Sequence, residues 1–195
     1  ILTAAVRKVD WPEGDCIVAG ATHLRWEFGS MPAAAGKPVQ AVCAGRALLA
    51  HASSVNAKGC ALCGDFNSWP AHAACLVLKE GLPTDHAEHP GGGVGTLALP
   101  RAEGQPDLAT LRSAYAEAHE QGSEPLFTRK KNSASSQFCL DYVFVGGQAL
   151  RVISAGFGPG PPPYAPDGDG TDLAYLPCAE WPSDHLPLVA ELALA

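Results

Sequence analysis

The segment Gly64–Ser68, with the sequence Gly-Asp-Phe-Asn-Ser, constrains this chain more than any other. It follows the apolar run Cys60–Cys63 and precedes Trp69-Pro70, and an apolar run broken by Gly and then Pro is typical of a buried strand that ends in a loop. Side chains two positions apart on a strand share a face, so we expect Asp65 and Asn67 to point the same way at the carboxyl end of that strand. A carboxylate and an amide placed in this way can hold a metal ion and a phosphate oxygen together.

Three further segments place polar side chains at apolar strands. The β-branched and aromatic run Leu140–Val145 contains Asp141, and a carboxylate inside such a run is costly to bury without a partner. The tripeptide Ser183–His185 comes just before another apolar run, and the strand predicted over Cys16–Leu24 reaches His23 near its end. Polar groups delivered by several strands of one rigid scaffold are the usual way in which a catalytic site is assembled.

In their order along the chain, these segments resemble the endonuclease/exonuclease/phosphatase superfamily. Within it they are most similar to the deadenylase branch of the carbon catabolite repressor type, to which nocturnin, the angel proteins and 2′,5′-phosphodiesterase are related. The matching stretches are Thr22–Leu24, Trp26, Gly64–Ser68, Leu78–His86, Leu140–Phe144 and Ser183–His185. The resemblance implies an α/β fold: a portion of a four-layer αββα sandwich, in which two stacked mixed sheets are covered by outer helices.

The resemblance also implies roles for individual residues. Asp65 would bind metal and orient or deprotonate the attacking water, and Asn67 would contact the metal or the scissile phosphate. Asp141 would orient His185, which donates to a phosphate oxygen, because a buried carboxylate holds one imidazole nitrogen and turns the other toward the substrate. The implied catalytic residues are Asp65, Asn67, Asp141, His185 and His23, the metal ligands Asp65, Asn67 and Asp184, and the substrate-binding residues His23, Asn67, Trp26 and Arg129. The implied cofactor is Mg²⁺ (or Mn²⁺).

Each motif also has a structural interpretation that the residues alone leave open. Asp65 could cap the following helix, and Asn67 could form an Asx turn before Trp69-Pro70. Asp184 could be a loop acid and His185 a core histidine. The basic cluster Arg129–Lys131 is either a solvated charge run or a patch that follows phosphates.

Composition limits the compartment and the partners. No apolar run reaches the ~18 residues of a membrane-spanning helix, so no membrane partner is expected, and the seven cysteines lack paired zinc spacing, which favours free thiols in a reducing compartment. A net charge of −7 argues against general nucleic-acid binding, but bound cations reverse the field at a metal site. We therefore expect a cytoplasmic location, with the nucleus as an alternative.

The chain also departs from the family pattern. The family's metal-binding Glu and its nearby Asn have no counterpart here, Phe28 stands where the family has Pro, and Ser136 stands where deadenylases have an adenine-contacting Phe. The chain begins with Ile1 and its only Met is Met31, so we expect residues 1–195 to form one incomplete domain that lacks its N-terminal part and is inactive alone.

The resulting hypothesis is that the complete protein is a Mg²⁺-dependent 3′ exoribonuclease that acts on single-stranded RNA, with poly(A) of mRNA as the substrate. One alternative is a phosphodiesterase or phosphatase that acts on 2′,5′-oligoadenylate or a small nucleotide. The other is a truncated, non-catalytic product that binds a partner. A protein complex is expected to involve parts outside this chain.

Helices are predicted over 38–52, 71–79 and 107–119, and strands over 1–9, 15–22, 60–66, 138–145, 148–154 and 187–193.

Overall fold

The computed structural model describes residues 1–8, 10–25, 33–81, 111–130, 137–158, 176–177 and 182–195, and of residues 33–35 only the backbone. Nine strands and three helices are assigned within these ranges. They are β1 (Leu2–Val6), β2 (Ile17–His23), α1 (Ala33–Ser54), β3 (Gly59–Asp65), α2 (Ala73–Lys79), β4 (Arg112–Ser113), α3 (Ala114–Ala118), β5 (Arg129–Lys130), β6 (Gln137–Phe138), β7 (Asp141–Gly146), β8 (Leu150–Phe157) and β9 (Leu188–Leu194). Of the helices described, none is long and apolar enough to cross a membrane.

The main sheet has five strands in the order β1-β2-β3-β7-β4. Strands β2 and β3 are parallel, whereas β1–β2, β3–β7 and β4–β7 are antiparallel, so the sheet is mixed. The pairs β5–β6 and β8–β9 form separate two-stranded antiparallel sheets. The predicted α/β class with mixed sheets is confirmed.

Alternation along β3 and β7 separates two apolar layers. Leu62 and Phe144 belong to a core cluster on one face, together with side chains of α1 and α2. Cys63, Val143 and Val145 belong to a cluster on the opposite face, which includes side chains of β8 and β9. Because successive strand residues face opposite sides, the central sheet has helices on one face and the second sheet on the other. Three layers of the sandwich are therefore present in the described residues.

All three predicted helices differ from the structure in their bounds, and the second begins at Ala73 rather than at 71. The first helix begins at Ala33 rather than at 38, since the alanines before Pro38 favour helix. Of the helix predicted over 107–119, the described part, which starts at residue 111, is helical over Ala114–Ala118, because Arg112 and Ser113 pair with β7 instead. The Ser113 hydroxyl accepts a hydrogen bond from the N–H of Ala116 and caps this short helix. The cap predicted at Asp107 lies outside the described residues.

Candidate active site

Three neighbouring strands of the main sheet place one polar side chain each in a single row. His23 ends β2 and is in register with Asp65, which ends β3. Asp65 is in turn paired with Asp141, the first residue of the antiparallel strand β7. Partners in register share a face of a sheet, so the three side chains lie on the β8–β9 face at one edge. The structure thus brings His23, Asp65 and Asp141 together at this edge of the sheet.

Close approach of the strands at this edge requires glycine at position 64. Gly64 has a φ of +143°, and a Cβ built there would lie 1.8 Å from the carbonyl oxygen of Thr22. A side chain at this position would push β3 away from β2, and with it Asp65 from His23. The glycine of the motif is thus explained by backbone geometry.

The position of Asn67 follows from a turn and not from strand alternation. The strand β3 ends at Asp65, whose Oδ1 accepts a hydrogen bond of 2.7 Å from the N–H of Asn67. Asn67 has a φ of +46° and is 7 % exposed, and its Nδ2 donates to the carbonyl of Leu24 at 2.7 Å. The expectation that Asp65 and Asn67 share a strand face is therefore wrong, because an Asx turn intervenes. The turn leaves the amide oxygen of Asn67 as its potential metal ligand.

The Asp141–His185 pair proposed from the resemblance is formed. The His185 Nδ1 and the Asp141 Oδ2 are 2.8 Å apart, although the two residues come from β7 and from the loop before β9. With Nδ1 directed at the carboxylate, Nε2 is the nitrogen that faces away from Asp141. The pairing satisfies the carboxylate that the apolar strand would otherwise bury without a partner.

Thr128 was not among the predicted site residues, yet it holds this pair in place. Its hydroxyl donates to Asp141 Oδ2 at 2.7 Å and accepts from the N–H groups of Leu140 and Asp141, each at 2.9 Å. Its carbonyl accepts from the N–H of Leu186 at 2.7 Å, directly after His185. The side chain is fully buried. Residue type alone carried no signal for this role, because a lone Thr after an aromatic residue is common.

Hydrogen bonds, burial and neighbouring charges shift the pKa values of His185 and Asp65. The hydrogen bond to Asp141 raises the pKa of His185 above the ordinary 6.5, burial opposes the rise, and the charges of Asp141, Asp65 and Asp184 add to it. Burial raises the pKa of Asp65, and the nearby negative charge of Asp141 adds to this rise. Against that, the Asn67 N–H and the charges of His185 and His23 lower the pKa of Asp65. Two neighbouring carboxylates in a partly buried row favour a bound cation.

Arg129 and Asp184 form an ion pair beside the row. The Arg129 Nε donates to Asp184 Oδ2 at 3.1 Å, and the two side chains are 18 % and 33 % exposed. Arg129 and His185 also form a single antiparallel β-bridge through their backbones, which joins strand β5 to the segment before β9. Lys130 is 2 % exposed, so the interpretation of Arg129–Lys131 as a solvated charge run is wrong for this residue. Burial lowers the pKa of Lys130.

The donor set suits a hard divalent cation. One ligand atom each from Asp65, Asp141 and His185 lies within 4.8 Å of the others. Since Asp141 Oδ2 already accepts from Thr128 and His185, Asp65 is the carboxylate best placed to bind an ion. Its Oδ2 lies 3.5 Å from Nε2 of His23, whose side chain is 74 % exposed. One carboxylate, an amide oxygen and water resemble the ligands that Mg²⁺ accepts.

The predicted site residues that the structure describes fall into two groups. His23, Asp65, Asn67, Asp141 and His185 meet at the sheet edge, and Asp184 and Arg129 lie next to them as a pair. Asp184 is not in the group of three potential ligands, and its role as a metal ligand stays a prediction. Trp26 lies outside the described residues, as do Phe28 and Ser136.

Comparison with known proteins gives one family. Residues 1–185 match the model of the Endonuclease/Exonuclease/phosphatase family. A 132-residue stretch of this chain is 29% identical to the CCR4-Not complex 3′-5′-exoribonuclease subunit Ccr4 of Yarrowia lipolytica. The aligned stretch makes up 68% of this chain and 17% of that protein.

Solved structures give the same fold. The human Nocturnin catalytic domain with bound sulfate matches this chain with a TM-score of 0.56 at 21% identity. The match covers 99% of this chain and 52% of the Nocturnin chain. ANGEL2, a 2′,3′-cyclic phosphatase, in complex with adenosine-2′,3′-vanadate has a TM-score of 0.53 at 20% identity, with coverages of 96% and 58%. This chain thus spans little more than half of the solved chains and a smaller share of Ccr4.

Proposed function

The chain belongs to the endonuclease/exonuclease/phosphatase family, and we propose that the full-length protein belongs to the CCR4-type branch of this family and hydrolyses phosphodiester bonds at the 3′ end of single-stranded RNA. The observation that carries the proposal is the line of hydrogen bonds from Thr128 through Asp141 to His185, which ends beside Asp65. Because the chain spans about half of its solved relatives, the activity is proposed for the full-length protein.

We propose Mg²⁺, or Mn²⁺, as the cofactor, held by Asp65 and Asn67. A bound divalent ion would neutralise charge on the phosphoryl group and lower the pKa of a bound water. Burial raises the pKa of Asp65, and a bound cation would compensate the negative charge of this partly buried carboxylate. Asp184, whose Oδ2 accepts from Arg129, would be a further ligand.

The chain's own residues account for the remaining chemistry. His185 would donate a hydrogen bond or a proton from Nε2 to a phosphoryl oxygen as negative charge builds up there. Asp141 holds the imidazole by Nδ1 and stabilises its cationic form, which the raised pKa of His185 reflects. His23, exposed at the edge of the row, would contact a non-bridging oxygen. Arg129 would support this arrangement by holding Asp184 or by meeting the phosphate directly.

The choice of RNA and of poly(A) draws on the relatives. The Yarrowia relative is named an exoribonuclease, and we extend that activity to this protein as a proposal, with the poly(A) of mRNA as substrate. We also propose a cytoplasmic location, with the nucleus as an alternative, and assembly with a partner protein through parts outside this chain.

The test uses the full-length protein with three substrates: RNA that ends in an oligo(A) tail, the same RNA with a mixed tail, and 2′,5′-oligoadenylate. We expect stepwise shortening of the oligo(A) tail with Mg²⁺, and a loss of roughly 10²-fold or more in Asp65→Ala and His185→Ala. Asp10→Ala is the matched control, since its exposed carboxylate contacts only Lys8 among the described residues. Hydrolysis of 2′,5′-oligoadenylate but of neither RNA would contradict the proposed RNA substrate and support the small-nucleotide alternative.

A further inference from the structure

Two polar side chains on helix α1 contact the loops that follow β2 and β3. Lys37 Nζ donates to the carbonyl oxygen of Asn67 at 2.7 Å, and Gln40 Oε1 accepts from the N–H of Arg25 at 3.0 Å. Because residues three positions apart are neighbours on a helix surface, one face of α1 reaches both loops. The helix is therefore tied to the two parallel strands that end in the candidate active site.

Hydrogen bonds hold Asn67 at three of its four polar groups. Its N–H donates to Asp65 Oδ1, and its Nδ2 donates to the carbonyl of Leu24, each at 2.7 Å. Its own carbonyl accepts from Lys37. Within the ranges that the structure describes, the side-chain oxygen Oδ1 is the polar group of Asn67 left without a hydrogen bond, and it is the atom that we assigned to the metal.

The bond from Lys37 acts on the backbone from which the Asn67 side chain projects. Asn67 has a φ of +46°, a left-handed conformation that few residues other than glycine adopt, so the loop needs contacts that keep it there. The residue is also largely buried, and a buried carbonyl without a donor is costly. Without Lys37, the loop would lose the contact that holds this carbonyl, and with it the fixed orientation of the amide oxygen.

We propose that Lys37 is a positioning residue of the metal site: it holds the loop after β3 so that Oδ1 of Asn67 faces a divalent ion bound by Asp65. This inference rests on the proposed function, in which both residues bind Mg²⁺ or Mn²⁺. Contacts behind a metal ligand raise the affinity of the site because they orient the donor atom before the ion arrives.

The positive charge of Lys37 acts in the opposite direction. A cation near a metal site repels the ion, so removal of the charge alone would tighten metal binding, whereas loss of the positioning contact weakens it. The sign of the change in affinity therefore distinguishes the two effects.

The test measures Mn²⁺ binding to the full-length protein without substrate, by electron paramagnetic resonance of the free ion. Lys37→Met removes the donor and keeps the length of the side chain, and Lys37→Gln removes the same contact with a side chain that stays polar. Lys58→Met is the matched control, because Lys58 pairs with Asp15 just before β3, at the end of the strand opposite to Asp65. Circular dichroism shows that each variant is folded.

We expect the Kd for Mn²⁺ to rise about tenfold in both neutral Lys37 variants, as for one lost hydrogen bond to a charged group. Lys37→Arg keeps a cationic donor and should recover most of the affinity, and Lys58→Met should bind Mn²⁺ like the parent protein. Unchanged or tighter binding in the folded Lys37 variants would overturn the proposal.

A double-mutant cycle shows whether Lys37 acts through the amide of Asn67. In Asn67→Ala the metal-binding oxygen is gone, so adding Lys37→Met should have almost no further effect on the Kd for Mn²⁺. A loss by the same factor in both backgrounds would mean that Lys37 supports the site by another route, and it would refute the positioning role.

Because Mn²⁺ binding is measured without RNA, this inference and the proposed function fail separately. Weaker Mn²⁺ binding in Lys37→Met, relieved in the Asn67→Ala background, supports the inference even if RNA is not hydrolysed. Mg²⁺-dependent hydrolysis of RNA together with an unaltered Mn²⁺ affinity in Lys37→Met leaves the function intact and refutes the inference.

Discussion

Replacing Thr128 by Val should impair both the stability of the fold and the activity. Val keeps the volume of Thr but removes the buried hydroxyl, and with it three hydrogen bonds to Asp141 and to the N–H groups of Leu140 and Asp141. The bond to the carboxylate is charge-assisted and contributes about 1.5–3 kcal/mol, and each backbone bond about 1 kcal/mol. Since the added methyl group returns about 0.8 kcal/mol, the free energy of unfolding should fall by about 3–4 kcal/mol, which a typical domain survives.

The catalytic effect follows from the same contacts. Without the hydroxyl, Asp141 keeps only its bond to His185 as a side-chain contact among the described residues, and the imidazole loses its fixed orientation. A loss of about 1.4 kcal/mol in transition-state stabilisation would lower kcat tenfold with little change in KM. Thr128→Ser keeps the hydroxyl and should recover most of the activity, although it loses a methyl group.

The assay measures kcat on oligo(A)-tailed RNA, and stability by denaturant unfolding, for Thr128→Val, Thr128→Ser, His185→Ala and Thr128→Val combined with His185→Ala. If Thr128 acts through Asp141 and His185, the Val substitution has almost no further effect on kcat once His185 is removed. The reasoning is refuted if Thr128→Val lowers kcat by the same factor in both backgrounds, or if Thr128→Ser is as inactive as Thr128→Val.

Three further predictions concern charge and metal. Asp141→Asn should lower kcat by roughly 10²-fold with little loss of stability, whereas Asp141→Ala should cost about 1–3 kcal/mol more because His185 is left unpaired; equal melting temperatures would argue against the contact. The pKa of His185 in the folded protein is raised above its ordinary value of 6.5. Protonated His185 therefore stabilises the fold fully below about pH 6.5, and this contribution is lost as the pH rises through the pKa of the folded protein. Thermal scans between about pH 6 and 8 should show this loss, and Asp141→Asn should flatten it. EDTA should abolish hydrolysis, and added Mg²⁺ should restore it, with unchanged circular dichroism; activity that survives chelation would rule out the metal mechanism.

The local pattern of the chain was sufficient to identify the six longer strands and the acidic residues Asp65 and Asp141 on two of them. Alternation and flanking glycines predicted β3 and β7 to within one to three residues, and the carboxylates at these strand ends lie at the edge of the sheet. Strand periodicity is a local property, with a period of two residues, so it can be read without knowledge of the partner. The order of the motifs then identified the family, which the comparisons confirm.

The contacts between distant parts of the chain were seen only in the structure, except for the Asp141–His185 pair, which the family resemblance implied. Thr128 and Asp141 are 13 positions apart, Asp141 and His185 are 44 apart, and Arg129 and Asp184 are 55 apart. No local pattern encodes these pairs, because hydrogen bonds between distant segments depend on how the sheets stack. The sequence thus predicted which residues form the candidate site, and tertiary packing decided which residues orient them, because orientation requires contacts between segments that only folding brings together.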